Sequence, residues 1–360
     1  MKNIVYIGKY NGIIGGIERY MQQSAELLRR NGFNVHYLHA DNGGKEQAKF
    51  ADAFDSVSEF STENNRIAEA DIIIIHNIIS PEFLHKLPGN KTFFFAHDHN
   101  IYCRRHHYYT PLNRTNCHRK YNPLICKICS LCRNDAPPLA EYRKFPALVL
   151  SGFMADNLRK NGFEKVVKLP AFIRTSAVEH KFMPDGILRI LFLGQLIRGK
   201  GADLMLKTLA GLDIPFTCTI AGDGKDRVML EKIVDKLKLR DKVHFAGFVS
   251  EPEQLWKNCD VFFFPIRWQE PFGLVGLEAL AHGVPVAAFD LGGVREYLND
   301  DCGRLIPEKD IDSGAEILKQ LALHSELLQE LGRNGLQFVR DKFSEENFVN
   351  KFKELTEVLK

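Results

Sequence analysis

Leu188-Arg189-Ile190-Leu191-Phe192-Leu193-Gly194-Gln195-Leu196-Ile197-Arg198-Gly199-Lys200-Gly201 runs from an apolar stretch straight into a glycine-flanked loop that bears two cations. A run that is apolar almost throughout, without alternation, is expected of a strand buried on both faces of a parallel sheet. Similar runs precede it at Ile4–Ile7, Val35–His39, Ile72–Ile75, Thr92–Ala96, Leu148–Leu150 and Val166–Leu169. Others follow at Thr217–Ala221, Val243–Ala246, Val261–Phe264, Val284–Phe289 and Arg304–Ile306. Between the first two strands, Ile17, Met21, Ala25 and Leu28 recur at helical spacing over Ile17–Asn31, and Gly32 ends the helix. Amphipathic segments at Asp226–Leu237, Gly314–Leu323 and Glu326–Val339 sit between or after the later strands. Strands alternating with helices, with the pattern restarting at Leu188, predict an α/β protein of two Rossmann-like doubly wound domains. These would face each other across a cleft at the carboxyl ends of their strands.

The expected domains are 1–170, with a cysteine-rich insertion at 100–144, and 187–342. A linker at 171–186, ending in Pro184-Asp185-Gly186, joins them, and 343–360 holds a last helix, Glu345–Leu359, that could pack on either domain. A length of 360 residues exceeds what one core usually holds, and 45% hydrophobic with 26% charged residues excludes global disorder. Ala70–Ile75 and Val261–Pro265 fall far short of the roughly 20 apolar residues that span a bilayer. The start, MKNIVYIG, has no cationic segment, apolar core and cleavage site, so a cytoplasmic location is expected and the eight cysteines are expected as thiols or metal ligands.

The glycine-rich loops mark what the domains would hold. The first βα turn, Gly8 to Glu18, contains Gly15 and Gly16 and lets backbone amides approach a phosphate or sugar, although close packing alone would also call for glycine. Its spacing is not G-x-G-x-x-G, which disfavours nicotinamide chemistry. Arg198 and Lys200 suit a diphosphate, for which charge-assisted hydrogen bonds contribute roughly 1.5 to 3 kcal/mol each. A solvated basic loop is the plainer alternative. In Trp268-Gln269-Glu270-Pro271-Phe272-Gly273-Leu274-Val275-Gly276-Leu277-Glu278, a helix is expected from Gly273, so the amides of Phe272, Gly273 and Leu274 form a positive helix end. Glu278, two turns into an apolar helix, needs a hydroxyl or a cation, and a ribose diol would serve; a surface acid is the alternative. A second Gly-Gly turn follows at Asp290 to Glu296.

Taken in order, Gly15-Gly16-Ile17-Glu18, Gly194 with Arg198 and Lys200, Gly222-Asp223-Gly224, and the E-x7-E element Glu270 to Glu278 followed by Gly292-Gly293 resemble the retaining glycosyltransferases of family four over nearly the whole chain. The resemblance implies a GT-B fold, transfer of a hexosyl group from a nucleotide-diphosphate sugar with retention at the anomeric carbon, and no cofactor for catalysis. It further implies that Arg198 and Lys200 hold the diphosphate, that Glu270 meets the transferred sugar and that Glu278 holds the donor ribose. Gly16, Gly222 and the amides of Phe272 to Leu274 would line the donor site, and His97, after the fourth strand, matches the histidine that faces the donor sugar. The acceptor would be a glycan or a lipid-linked glycan. Where many relatives have Asn-Gly-Val-Asp before the linker, this chain has Pro170-Ala171-Phe172-Ile173-Arg174. Other GT-B chemistry, as in a sugar-nucleotide epimerase or a phosphorylase, is the nearest alternative.

The insertion stands apart from this scheme. Cys103, Cys117, Cys126 and Cys129 supply enough thiolates for a structural zinc, with Cys132 able to replace any of them, and a loop with little core would gain from such a crosslink. An iron-sulfur cluster and unliganded thiols are the other readings. Arg104, Arg105, Arg114, Arg119, Lys120, Lys127, Arg133, Arg143 and Lys144 against Asp135 and Glu141 give nine minus two, or +7, where the whole chain has +3. With Tyr102, Tyr108, Tyr109 and Tyr121 interleaved, this predicts a peripheral contact with anionic lipid at the membrane's inner face, or a solvated basic face. A zinc-bearing nucleic-acid binder would explain the insertion but leave Arg198, Lys200 and Glu270 to Glu278 without a task. No nucleic-acid partner is expected.

Overall fold

A computed structural model describes residues 2–61, 64–77, 79–110, 114–130, 139–175, 180, 182–183, 185–249 and 252–357. The chain forms two compact units, Met1–Pro170 with Glu345–Lys360, and Ala171–Ser344.

The first unit is built on a parallel sheet of seven strands, β1 (Lys2–Tyr10), β2 (Phe33–Asp41), β3 (Ser56–Glu59), β4 (Ile72–Ile75), β5 (Thr92–Phe95), β6 (Ala147–Val149) and β7 (Val166–Lys168). Their order is β3-β2-β1-β4-β5-β6-β7, so the winding reverses between β1 and β4. Ile4 to Ile7 and Ile72 to Ile75 are buried because helices cover both faces of such a sheet. The helix Gly16–Arg30 buries Tyr20, Met21, Ala25, Leu27 and Leu28, and the Glu18 carboxylate accepts from the Gly15 amide at 3.0 Å at its start. β3 was not expected: Ser56-Val57-Ser58-Glu59 pairs only with β2, and an edge strand has no need of an apolar run. The last helix, Glu345–Glu357, belongs to this unit. Phe352 packs edge-on against Phe33 at 5.7 Å, and Lys2 Nζ donates to the Thr356 carbonyl and hydroxyl at 2.8 Å each.

The second unit repeats the plan with six parallel strands, β8 (Leu188–Leu193), β9 (Phe216–Ala221), β10 (Val243–Gly247), β11 (Val261–Phe264), β12 (Val286–Phe289) and β13 (Gly303–Ile306), in the order β10-β9-β8-β11-β12-β13. Here the reversal lies between β8 and β11. Phe192, Phe262, Phe263 and Phe289 are fully buried. In open α/β sheets, ligands bind beyond the carboxyl ends of the strands at such a reversal. The loops after β1 and β4 in one unit, and after β8 and β11 in the other, are therefore where chemistry is expected.

Candidate active site

In the second unit the reversal brings together two loops that lie seventy residues apart. Lys200 Nζ donates to Glu270 Oε2 at 2.8 Å and stands 5.9 Å from the centre of the Phe264 ring. An ammonium has three donors, so Lys200 can hold Glu270 and still offer protons to a phosphate. The loops are fixed to each other by backbone contacts. The Arg267 amide donates to Gly199 O at 2.8 Å, Arg267 Nε to Arg198 O at 3.2 Å, and the buried Arg267 guanidinium pairs with Asp203. A Cβ on Gly199 would fall 1.9 Å from the Trp268 ring, so glycine is required there for the loops to close. Arg198 is exposed on the same loop.

Glu270 is fixed from beneath as well. The Gly293 amide donates to Glu270 O at 2.7 Å, and Gly292, at φ +70°, would bring a Cβ within 2.2 Å of that oxygen. Gly273 caps the helix Leu274–Ala281, and the Phe272 side chain is buried against Tyr297, so only backbone near Phe272 to Leu274 is free to meet a phosphate. Glu278 is half-buried and stands about one turn past the helix start, closer to it than the sequence suggested. Gly222 closes the neighbouring β9 end, where a Cβ would meet Gly194 O at 1.9 Å. Tyr297 lies beneath the helix start, and burial, with Glu270 as a second cause, drives its phenol well above the ordinary value.

In the first unit the equivalent position is lined by rings. His76 directly follows β4, and its amide donates to Ile7 O at 2.9 Å; its Nδ1 lies 2.9 Å from Nε2 of His97, which follows β5. Phe95 stacks on both imidazoles, at 4.3 Å from His97 and 5.5 Å from His76, and Tyr20 and Tyr6 close the sides. Burial lowers His97 to about 3 and pushes His76 well below its ordinary value, so both are neutral at pH 7. His76 Nε2 is buried without a hydrogen-bond partner among the described residues. A bare lone pair there is less costly than an orphaned N–H, which puts the His76 proton on Nδ1, donating to His97 Nε2. His97 then bears its own proton on Nδ1 and presents a donor. Burial also raises Asp98, next in the chain, to about 6, despite bonds from the Asn100 amide at 2.9 Å and Nδ2 at 2.7 Å. His76 was missed in the sequence; its one signal was its place immediately after an all-isoleucine strand. A Cβ on Gly15 or Gly16 would meet no atom within 4 Å, so close packing does not explain these glycines.

Residues 178–338 match the model of the family described as glycosyl transferases group 1. The second domain belongs to that family. This group 1 glycosyltransferase domain has relatives in an uncharacterized glycosyltransferase of Methanocaldococcus jannaschii, 32% identical over 44% of this chain and 42% of the relative, and in the O-antigen biosynthesis glycosyltransferase WclY of Escherichia coli, 34% identical over 34% of each. The chain thus spans less than half the length of these curated relatives. The crystal structure of Anabaena HepE in complex with UDP and glucose superposes with a TM-score of 0.75 at 16% identity, covering 99% of this chain and 100% of that one. The likeness establishes the fold, GT-B with two Rossmann-like domains.

The insertion in the first domain departs from the sequence expectation in two ways. It is not a loop with little core: Ile101, Tyr102, Tyr108, Leu139 and Tyr142 are buried in the first domain's core, with Cys103 and Cys117 packed against them. Tyr102 and Tyr108 therefore cannot serve as headgroup aromatics. Cys103, Cys126 and Cys129 are free thiols, and Cys117 is among the charges that raise the thiols of Cys103 and Cys129, after burial. No group of three or more His, Cys, Asp or Glu side chains among the described residues is placed to hold a metal, so the zinc expectation finds no support there; Cys132 lies outside those residues. Buried aromatics fasten the segment where a metal crosslink was expected. Among the described residues, no helix is long and apolar enough to cross a membrane.

Proposed function

We propose that the chain transfers a hexosyl group from a nucleotide-diphosphate sugar to a glycan or lipid-linked acceptor with retention, in peripheral contact with a membrane through the basic insertion. The observation that supports it most is the Lys200–Glu270 contact at the carboxyl edge of the β8/β11 reversal, inside a group 1 domain. The UDP in the HepE structure makes a uridine-diphosphate sugar the first donor to try. As the bond from the anomeric carbon to the phosphate oxygen breaks, its electron pair leaves with the diphosphate. Lys200, Arg198 and the amides at the helix start stabilise that charge, as preorganised cations and dipoles do in a site of low dielectric. Glu270, paired with Lys200, holds hydroxyls of the transferred sugar, and Glu278 holds the ribose. The acceptor hydroxyl oxygen bonds to the anomeric carbon on the face the phosphate leaves, and its proton passes to the departing phosphate oxygen. His97, as an Nδ1–H donor, would meet a hydroxyl of the transferred sugar.

Incubation with a panel of nucleotide sugars, with and without soluble glycan acceptors, tests this. Acceptor-dependent release of nucleoside diphosphate with an α-linked product from an α-linked donor is expected. Epimerised nucleotide sugar formed without acceptor would overturn transfer, and an inverted product would overturn retention.

A further inference from the structure

We infer that the short helix Pro123–Cys129 is a docking wedge for an anionic lipid surface. It deepens the peripheral-contact part of the reading above and needs no glycosyl transfer to be true. None of the helix's residues is buried, and Leu124, Ile125 and Ile128 are exposed by 76%, 46% and 69%. Among the described residues, no other helix exposes three large apolar side chains. At about 100° per residue, Ile128 falls between Leu124 and Ile125, so the three form one apolar stripe about 100° wide. Cys126 lies on the far side and Cys129 beside Ile125, both half-buried, and Lys127 flanks the stripe on the Leu124 side.

The wedge is mounted rigidly. The Asn122 side chain caps the helix by accepting from the amides of Leu124 at 3.0 Å and Ile125 at 2.9 Å, and the Tyr121 amide donates to Asn161 Oδ1 at 2.8 Å on the body of the domain. At the other end Ser130 is buried, its amide bonded to Cys126 O at 3.0 Å. Arg104 reaches the Tyr121 hydroxyl at 3.4 Å, and Arg105 the Cys129 carbonyl at 3.5 Å. Arg119 and Lys120 are exposed just before the helix.

Charge selects the occupant. Residues 100–130 contain Arg104, Arg105, Arg114, Arg119, Lys120 and Lys127 and no Asp or Glu, a local charge of +6. A second copy would set this charge against itself. An anionic bilayer offers both what the cations need and, just beneath the headgroups, a place for the apolar stripe.

The test is co-sedimentation of the full chain with vesicles of neutral phosphatidylcholine, alone or with about 30% phosphatidylglycerol, at low and high salt. Binding to the anionic vesicles, weakened by salt, is expected. The double variant Leu124→Ser, Ile128→Ser should bind about tenfold less with an unchanged melting temperature, and Ile128→Trp should bind more tightly. Equal binding by the double variant and the parent, or no preference for anionic vesicles, would overturn the inference. So would loss of self-association in the variant with vesicle binding unchanged, since the stripe would then belong to a second copy. Transfer to a soluble acceptor, measured alongside, separates failure of this proposal from failure of the transferase reading.

Discussion

At the reversal of the second sheet the groups that meet are charged, Lys200 and Glu270 at 2.8 Å, whereas at that of the first they are neutral rings, His76 and His97 at 2.9 Å under Phe95 and Tyr20. Both places share one topology, with central strands ending in loops on either side of a change in winding. In the charged site Lys200 and Glu270, each partly exposed, are paired with each other. The ring-lined site is desolvated enough to hold its imidazoles neutral. One fold can thus set two electrostatic conditions, one suited to a charge that grows during reaction and one suited to an uncharged hydroxyl.

If the charged site acts on the leaving group, removing its cation must have the largest effect. Lys200→Ala should lower transfer by about a thousandfold at saturating donor with the melting temperature little changed, because a cation matched to the leaving group acts most in the transition state. Near-normal turnover would end the diphosphate assignment. Glu278→Ala should chiefly weaken donor binding, by about ten- to a hundredfold, measured by titration calorimetry with the nucleoside diphosphate. A change in turnover without a change in that affinity would remove Glu278 from the ribose.

The ring-lined site calls for subtler measurements. His76→Phe keeps the stack but takes away the proton donated to His97, and should lower turnover about tenfold while leaving nucleotide affinity unchanged. Loss of both together would mean that His76 only supports the fold. The smallest effect is on pH. The His97 value of about 3 lies below the free value of 6.5, so the unfolded chain takes up protons that the fold refuses. The stability that His76 and His97 contribute is therefore complete above about pH 6.5 and falls as the pH drops toward about 3. Asp98, raised from 3.8 to about 6, opposes this, its share being present below 3.8 and lost as the pH rises through about 6. The His97 ring resonances should not titrate between about pH 8 and about pH 5, and an ordinary titration there would contradict the desolvated pair.

Much of this was legible in the sequence because it depends on neighbours along the chain. Apolar runs such as Ile72 to Ile75 and Val261 to Phe264 mark buried parallel strands by composition alone, and Arg198, Lys200, Glu270 and Glu278 lie on loops or helix starts whose glycines announce them. What stayed hidden depends on packing between distant segments. The strand Ser56–Glu59 has no apolar signature, since its place at the sheet edge and not its side chains makes it a strand. The link between His76 and His97 exists because β4 and β5 are adjacent in the sheet. The insertion's tyrosines looked like surface aromatics, yet Tyr102 and Tyr108 fill the core and leave Leu124, Ile125 and Ile128 outside. The sequence by itself determined the two parallel sheets and the charged loop groups, because burial on both faces of a strand and glycine at a close turn are local requirements. Only the tertiary structure decided which imidazole meets which, and which apolar side chains of the insertion face water, because both follow from how much room the core has left.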